Sequence, residues 1–350
     1  MTVQPLMQPV PTTIISGFLG SGKTTLLNNI LHGDHGLKVA VLVNDFGEIN
    51  IDAQLIVGVE GETVSLSNGC ICCSIRGDLV DAIVKMASRV DRPDYIIIET
   101  SGVSDPVAVA MTFRMPELMY FVELDGIITL VDAENFLTLE EQNKALGITQ
   151  LEMADIVVLN KVDTVTPDYL AEVKARIQQI SPNARMLETT YGNAPLEFIM
   201  GVGNFSPDKL HNREAKEVHV HGVEEHDAHD HDHDHSLVYS TWNWTCDKPL
   251  SLDKFRAFVN TLPQTIYRSK GVIWLQDIPE HKAVFHLVGK RAGLVLAGEW
   301  ENTAPRSQMV FIGSHGGIHP EELRAALEAT VGDSPTNPES SAQTEQWQRE

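Results

Sequence analysis

The sequence has few cysteines, no long hydrophobic run and no export signal. Only 4 of its 350 residues are cysteine. No apolar run approaches the roughly 20 residues that a membrane-spanning helix requires. The amino-terminal MTVQPLMQPVPTT lacks the basic start and apolar stretch of a signal peptide. We therefore expect a cytoplasmic protein with reduced thiols and no membrane partner.

Positive charge is also scarce, because 26 Lys and Arg residues stand against 48 Asp and Glu residues, a formal net charge of -22. A nucleic-acid partner is disfavoured, since the phosphate backbone rewards clustered cations. The acidic balance suits metal cations better, although the charge by itself is better explained by solubility alone.

Short apolar runs alternate with helix-like stretches over the first part of the chain. Strands are predicted at Thr13–Ser16, Val39–Val43, Thr63–Leu66, Tyr95–Ile98, Gly126–Val131 and Ile156–Leu159, with helices at Lys23–Leu31, Asp78–Ser88 and Pro167–Ile180. Such alternation predicts an α/β fold with a mostly parallel sheet. A smaller α+β domain follows, with strands at Val238–Trp244, Gly271–Leu275, Ala283–Val288 and Gln308–Gly313 and helices at Leu252–Thr261 and Pro320–Thr330.

The predicted domain organisation has five parts. They are a flexible amino terminus (1–10), an α/β domain (11–205), a His/Asp-rich linker (206–236), the α+β domain (237–330) and a disordered tail (331–350). The tail is polar and contains Pro and Ser, which is typical of disorder.

The stretch GFLGSGKTT matches the phosphate-binding loop, or P-loop, in the required context after a strand and before a helix. Its glycines let backbone N–H groups surround phosphates, Lys23 is placed to reach the β- and γ-phosphates, and the Thr24 hydroxyl is placed to bind Mg²⁺. The predicted phosphate-binding residues are Gly17, Gly20, Ser21, Gly22, Lys23, Thr24 and Thr25.

The stretch LNKVD follows another predicted strand and supplies Asn160, Lys161 and Asp163. The Asp163 carboxylate can accept hydrogen bonds from N1–H and the amino group of guanine, whereas adenine would leave it unpaired. The nucleotide is therefore predicted to be GTP.

Acidic residues follow two of the predicted strands. Glu99, before Gly102 in YIIIETSG, is a candidate to organise Mg²⁺ and the attacking water, with Lys23 as the other catalytic residue. The alternative is that Glu99 only caps the next helix. Gly102 is predicted to donate its N–H to the γ-phosphate. In VNDFGEINID, Asp45 and Glu48 are candidates for Mg²⁺ or a second metal, and a solvated charge is an equal alternative for Asp52.

Three of the four cysteines, Cys70, Cys72 and Cys73, occupy four positions. A disulfide between residues so close in sequence would be strained. Thiolates suit Zn²⁺, so a metal site is favoured over packing of unreactive thiols, and a fourth ligand must come from an acid, a histidine, water or a partner. Cys246 is interpreted as structural.

These motifs, GFLGSGKTT, NDFGEINID, NGCICC, IIIETSG and NKVD in this order, resemble those of the CobW-type GTPases, which include the zinc-regulated GTPase metalloprotein activators. The resemblance covers residues 10–200, and a weaker one covers 237–313. It implies slow, metal-sensitive GTP hydrolysis and delivery of the metal to a client metalloprotein. It also implies zinc ligands at the three clustered cysteines, with Glu48 close to metal and nucleotide. Asp45 stands where many members have glutamate. The amino terminus lacks the Cys-Pro-x-Leu-Val-Pro segment by which eukaryotic zinc activators dock to methionine aminopeptidase.

Half of the chain's 14 histidines lie in EVHVHGVEEHDAHDHDHDHS. They are His219, His221, His226, His229, His231, His233 and His235. Imidazoles at this density predict a mobile arm that gathers Zn²⁺, Co²⁺ or Ni²⁺ weakly, and the alternative is a solvated linker.

The leading hypothesis is a GTP-hydrolysing zinc metallochaperone. The alternatives are cobalt delivery to cobalamin synthesis or to a hydratase, a histidine-rich metal buffer, and a signalling or translation GTPase, which leaves the cysteines unexplained. A homodimer is compatible with the sequence.

Overall fold

The computed structural model describes residues 9–33, 36–44, 63–65, 74–139, 141–200, 219–221, 239–300, 303–332 and 347–348. The chain divides into two compact units, Met1–Met200 and Gly201–Glu350. No helix among the described residues is long and apolar enough to span a membrane.

The first unit contains a seven-stranded parallel sheet in the order β3-β2-β4-β1-β5-β6-β7. Its strands are β1 (Val10–Gly17), β2 (Val39–Asn44), β3 (Thr63–Ser65), β4 (Tyr95–Thr100), β5 (Val122–Asp132), β6 (Ile156–Asn160) and β7 (Arg185–Thr189). Its helices are α1 (Lys23–His32), α2 (Ser74–Ala87), α3 (Pro106–Thr112), α4 (Glu141–Met153), α5 (Pro167–Ile180) and α6 (Leu196–Met200).

The central strands of this sheet are buried along their whole length and apolar up to their polar carboxyl-terminal ends. Every residue of β4 and β6 is buried. Sheets covered by helices on both faces require such continuous apolar runs, which is why these strands were recognisable in the sequence. All parallel strands end at one edge of the sheet, and the functional residues follow those ends.

The second unit contains a seven-stranded antiparallel sheet in the order β14-β12-β11-β10-β13-β9-β8. Its strands are β8 (His219–His221), β9 (Tyr239–Cys246), β10 (Ile266–Trp274), β11 (His281–Val288), β12 (Arg291–Glu299), β13 (Ser307–Ser314) and β14 (Trp347–Gln348), and its helices are α7 (Leu252–Thr261) and α8 (Pro320–Glu328). Phe255 of α7 meets Phe285 of β11 edge to face at 5.1 Å, a favourable aromatic geometry that anchors the helix on the sheet.

Two short strands occur where the sequence predicts no regular structure. His219–His221, in the predicted linker and histidine arm, pairs antiparallel with β9. Trp347–Gln348, in the predicted disordered tail, pairs antiparallel with β12. Each lies at an edge of the second sheet, where unpaired backbone groups accept an added strand with little demand on side-chain composition. The structure therefore has strand pairing at these five residues, where none was predicted.

The sequence also missed several elements. Strands β7 and β12 and helices α3, α4 and α6 were not predicted, and α2 begins four residues before the predicted start. The overall class, a parallel α/β unit followed by a smaller unit of sheet and helices, is confirmed.

Candidate functional site

The P-loop connects the buried strand β1 to helix α1. Gly22, immediately before the helix, has φ 102°, and a methyl group there would lie 2.4 Å from Nδ2 of Asn160. Only glycine tolerates both the backbone angle and this contact. The sequence pattern of the loop is thus required by its packing against β6.

Lys23 begins α1 and its side chain folds back over the loop. Its Nζ donates hydrogen bonds to the carbonyl oxygens of Gly17 at 3.0 Å and Phe18 at 3.3 Å, and the residue is only 6% exposed. A buried ammonium group held over the P-loop by backbone carbonyls is placed to meet an incoming phosphate oxygen, so this arrangement is suited to anion binding.

Asn160, at the end of β6, joins three segments through one buried amide. Its Nδ2 donates to the carbonyl of Ser21 at 2.9 Å, and its Oδ1 accepts from Oγ1 of Thr189 at 3.1 Å and from the N–H of Gly192 at 2.9 Å. Asn160 therefore ties the P-loop to β7 and to the loop that follows β7. Its position is consistent with the predicted role in nucleotide binding, which stays a prediction.

Lys161 and Asp163 follow directly. Lys161 has φ 62°, and its Nζ forms an ion pair with Oδ2 of Asp132 at 2.7 Å. Asp132 is the last residue of β5, and its other oxygen accepts from the N–H of Glu134 at 3.0 Å. Asp163 lies exposed on the short 3-10 helix Val162–Thr164. Its carboxylate is accessible for the guanine contact predicted from the sequence.

Glu99, at the end of β4, is buried and lies beside the P-loop. Its Oε1 accepts a hydrogen bond from the Thr24 hydroxyl at 3.2 Å, and the residue is 1% exposed. The alternative that Glu99 caps the next helix is not what the structure shows, because α3 is capped by Asp105, whose Oδ1 accepts from the N–H of Val107 at 2.8 Å. A hydroxyl and a carboxylate in contact are oxygen ligands of the kind that Mg²⁺ prefers.

Gly102 lies against the backbone of the P-loop. A methyl group on Gly102 would be 2.6 Å from the backbone nitrogen of Leu19, so the two backbones are in direct contact. The segment turns sharply after Gly102, since the N–H of Ser104 donates to the carbonyl of Ser101 at 2.9 Å. The sequence-predicted γ-phosphate contact is thus placed next to the phosphate loop.

A cavity of about 330 Å³ adjoins the P-loop on its α4 side. Its walls are largely apolar, and its polar side chains are those of Thr129, Asp132, Asn135, Gln150 and Lys161. Lys161 of the predicted guanine motif lines the cavity, whereas Asp163 does not. The lining residues are Phe18, Leu19, Gly20, Thr129, Leu130, Val131, Asp132, Asn135, Phe136, Leu139, Gly147, Gln150, Leu151 and Lys161.

Most of the predicted transition-metal ligands lie outside the described residues. Those outside the described residues are Asp45, Glu48, Asp52, Cys70, Cys72, Cys73, His226, His229, His231, His233 and His235. His219 and His221 are on β8. Among the described part of the chain, no three His, Cys, Asp or Glu side chains are grouped closely enough to hold an ion.

Cys246 packs against the core of the second unit, consistent with the structural interpretation. Its Sγ lies 3.7 Å from the carbonyl of Lys248 and donates to it. Burial raises the pKa of the Cys246 thiol, so the neutral form is favoured.

Sequence reasoning missed four residues that the structure adds to the site: Asp132, Gln150, Thr189 and Gly192. Asp132 and Thr189 end β5 and β7, and the signal that could have found them is a polar residue directly after an apolar strand in the same sheet. Gln150 lies within α4 and had no such signal.

Comparisons with known proteins match both units. Residues 11–188 match the family model described as CobW/HypB/UreG, nucleotide-binding domain, and residues 239–331 match the cobalamin synthesis protein CobW carboxy-terminal domain. The zinc-regulated GTPase metalloprotein activator 1 of Dictyostelium discoideum is 31% identical over 84% of this chain and 69% of its own length. The zinc chaperone YjiA of Escherichia coli is 31% identical over 92% of this chain and 98% of its own length. The crystal structure of Zn(II)-bound YjiA aligns with 93% of this chain and 100% of that chain at 25% identity, with a TM-score of 0.42.

Proposed function

This chain belongs to the CobW/HypB/UreG family and is a P-loop GTPase. From that premise we propose that it is a zinc metallochaperone, in which GTP hydrolysis controls the delivery of zinc to a client metalloprotein. Zinc enters the proposal through its relatives, which include proteins named zinc chaperones and zinc-regulated GTPase metalloprotein activators. The client is a protein with a zinc site of its own.

The reaction is transfer of the γ-phosphoryl group of GTP to water. The bond between the γ-phosphorus and the bridging oxygen breaks, water supplies the new oxygen, and GDP and phosphate leave. We assign the phosphates to the P-loop residues Gly17 to Thr25, with Lys23 exchanging its carbonyl partners for phosphate oxygens. Stabilising the charge on those oxygens is the main catalytic task in this chemistry.

Mg²⁺ fits the pair formed by Thr24 and Glu99. We assign the Thr24 hydroxyl as its protein ligand and Glu99 as the group that orients the metal-bound water or the attacking water. The ion would neutralise charge that develops on the β- and γ-phosphates. Glu99 is buried, so its carboxylate interacts with such a cation more strongly than an exposed acid would.

We assign guanine recognition to Asn160, Lys161 and Asp163. Asp163 is exposed and free to accept from the base, and Lys161 is fixed beside it by Asp132. Asn160 supports the site by fixing the P-loop to β7. An ATP competitor would leave the Asp163 carboxylate unpaired, which disfavours it.

The observation that carries the proposed coupling is the sheet order β3-β2-β4-β1. Val43 of β2 pairs with Glu99 of β4 on one side and with Ser65 of β3 on the other. Adjacent strands are about 4.8 Å apart, so Ser65 lies about 10 Å across the sheet from Glu99. In sequence, the acidic stretch Asp45–Asp52 follows β2 and the cysteine stretch Cys70–Cys73 follows β3. This order supports a zinc site close to the nucleotide.

We assign Cys70, Cys72 and Cys73 as zinc ligands, with Glu48 or Asp45 as the fourth. A fourth ligand from the acidic stretch would make zinc affinity depend on the nucleotide. Thiolate ligands must be reduced, so the cytoplasmic location predicted from the sequence is part of this proposal. Thiolates favour Zn²⁺ over Co²⁺, and competition between the two ions for the GTP-bound protein tests cobalt as the alternative cargo.

The test is the affinity for Zn²⁺ measured by chelator competition, with the protein loaded either with a non-hydrolysable GTP analogue or with GDP. We expect one tight site whose affinity differs at least about tenfold, or about 1.4 kcal/mol, between the two states. Equal affinity in both states would contradict the coupling.

Matched variants separate the sites. Replacing Cys72 and Cys73 together with Ser should abolish tight binding, whereas Cys246→Ser should retain it, because Cys246 packs in the second unit. Deleting residues 222–236 should remove weak binding only. Loss of the tight site on that deletion would instead favour the metal buffer.

A further inference from the structure

The side chain of Gln150 on α4 contacts the segment that follows β4. It is 2% exposed, and its Nε2 donates to the carbonyl oxygens of Gly102 at 3.4 Å and Ser104 at 3.3 Å. We propose that Gln150 is a positioning residue that holds the Gly102–Ser104 segment where Gly102 can respond to the γ-phosphate. The inference rests on the proposed function through that assignment to Gly102.

The geometry makes Gln150 a link between a helix and the P-loop. Gly102 is in backbone contact with Leu19 on one side, and its carbonyl receives Gln150 on the other. Gln150 is itself fixed, because its own carbonyl accepts from the Thr129 hydroxyl on β5 at 3.0 Å. A displacement of the segment would therefore be opposed by α4 and β5 together.

The hydrogen-bonding capacity of the amide fits this role closely. An amide NH₂ has two donors, and two carbonyls are available. Both bonds are longer than the usual 2.9–3.0 Å, which leaves room for them to shorten when the segment moves. A side chain without donors would remove the hydrogen bonds to both carbonyl oxygens, and the loss of such bonds is costly in a buried position.

Two buried hydroxyls lie on the two segments that meet at Gly102, which are the Gly102–Ser104 segment and the P-loop. Ser104 Oγ and Ser21 Oγ are buried and have no hydrogen-bond partner among the described residues. Buried polar groups are nearly always hydrogen-bonded in a stable arrangement, and exceptions call for an explanation. Ser21 is assigned to the phosphates, which would supply a partner for its hydroxyl, and Gln150 would hold the Gly102–Ser104 segment beside them.

The test compares Gln150→Met, which keeps the side-chain length but has no donor, with the wild-type protein. We expect kcat for GTP hydrolysis to fall at least about tenfold with KM changed less than about threefold, because the loss concerns the reacting γ-phosphate and not nucleotide capture. The ratio of the affinity for GTP analogue to the affinity for GDP should also move toward one, the value for a protein that binds both nucleotides equally.

Thr149→Val is the matched control, since it removes a side-chain bond to the carbonyl of Ala145 on the same helix. It should leave kcat and the affinity ratio within about twofold of wild type. The thermal midpoint of each variant is measured alongside. If Gln150→Met lowers the midpoint without changing either kcat or the affinity ratio, the role is structural and the proposal is wrong.

Gln150→Glu keeps the proposal testable if the Met variant does not fold. A buried carboxylate has a raised pKa, and its protonated form regains one donor. We expect its kcat relative to wild type to rise as pH falls, and a flat ratio would overturn the proposal. Failure of the proposed function is distinguishable, because the zinc affinity of the wild-type protein would then be equal with GTP analogue and with GDP, a measurement that involves no Gln150 variant.

Discussion

The three hydrogen bonds of the Asn160 side chain lead to a direct prediction about the stability of the first unit. The variant is Asn160→Ala, which removes three hydrogen bonds from a side chain that is 2% exposed. The carbonyl of Ser21 and the N–H of Gly192 would each lose a buried partner, at about 1–3 kcal/mol apiece, while the Thr189 hydroxyl can rotate to another acceptor. We therefore expect the free energy of unfolding of the first unit to fall by about 2–6 kcal/mol.

Urea denaturation followed by far-UV circular dichroism measures this change. All five tryptophans lie between residues 242 and 347, in the second unit, so tryptophan fluorescence reports that unit as an internal control. The fluorescence midpoint should stay unchanged. Thr189→Val removes only one of the three bonds and should cost about 0.5–1.5 kcal/mol.

Asn160→Asp separates the P-loop contact from the other two. It keeps an oxygen for Gly192 and Thr189 but turns an oxygen toward the carbonyl of Ser21, so the P-loop contact becomes repulsive. We expect affinities for fluorescent GTP and GDP analogues to fall together by about tenfold or more, since 1.4 kcal/mol corresponds to one decade.

The Asn160→Ala result can refute this reasoning. It does so if the free energy of unfolding of that variant lies within about 0.5 kcal/mol of the wild-type value, as for a surface substitution.

Three further predictions concern individual side chains. Glu99→Gln keeps an acceptor for the Thr24 hydroxyl but removes the charge, so kcat should fall about 100-fold with GTP affinity changed less than about threefold, and an unchanged kcat would contradict its catalytic assignment. Asp132→Asn should lower GTP affinity by releasing Lys161, yet the free energy of unfolding should change by less than about 1 kcal/mol, because the Lys161 side chain is 33% exposed. Burial raises the pKa of the Cys246 thiol, so its contribution to stability is present below the ordinary thiol pKa of about 8.5 and is lost as pH rises through the higher folded-state value. The urea midpoint of wild type should accordingly fall relative to that of Cys246→Ser between about pH 8 and pH 10, and parallel midpoints would contradict this.

Strands that are buried on both faces were recognisable from the sequence because they are continuously apolar. Tyr95–Ile98 and Ile156–Leu159 were found within two residues of their observed ends. The P-loop was found because its glycines are required by contacts such as that of Gly22 with Asn160. Polar ends of these strands then located Glu99 and Asn160.

Helix α4 was missed for a physical reason that bears on function. Its buried face includes Gly147 and Gln150, which line the cavity beside the P-loop. A buried glycine and a buried amide interrupt the apolar spacing by which an amphipathic helix is recognised. Local sequence rules tend to fail where a residue serves a site and not the core. Strand β12 was missed because Gly293 and Gly298 interrupt its apolar pattern.

The order of strands about β1 places the residues assigned to guanine apart from those assigned to the γ-phosphate and zinc. Strands β5, β6 and β7 lie on one side of β1 and carry the residues assigned to guanine, whereas β4, β2 and β3 lie on the other and precede those assigned to the γ-phosphate and zinc. GTP and GDP share guanine, so changes in the guanine contacts should alter both affinities equally and leave the proposed difference in zinc affinity unchanged. Only contacts that differ between GTP and GDP would shift it. Variants at Glu99, or at Gln150 through its bonds to the Gly102–Ser104 segment, should therefore change that difference, and Asn160→Asp, at saturating nucleotide, should preserve it.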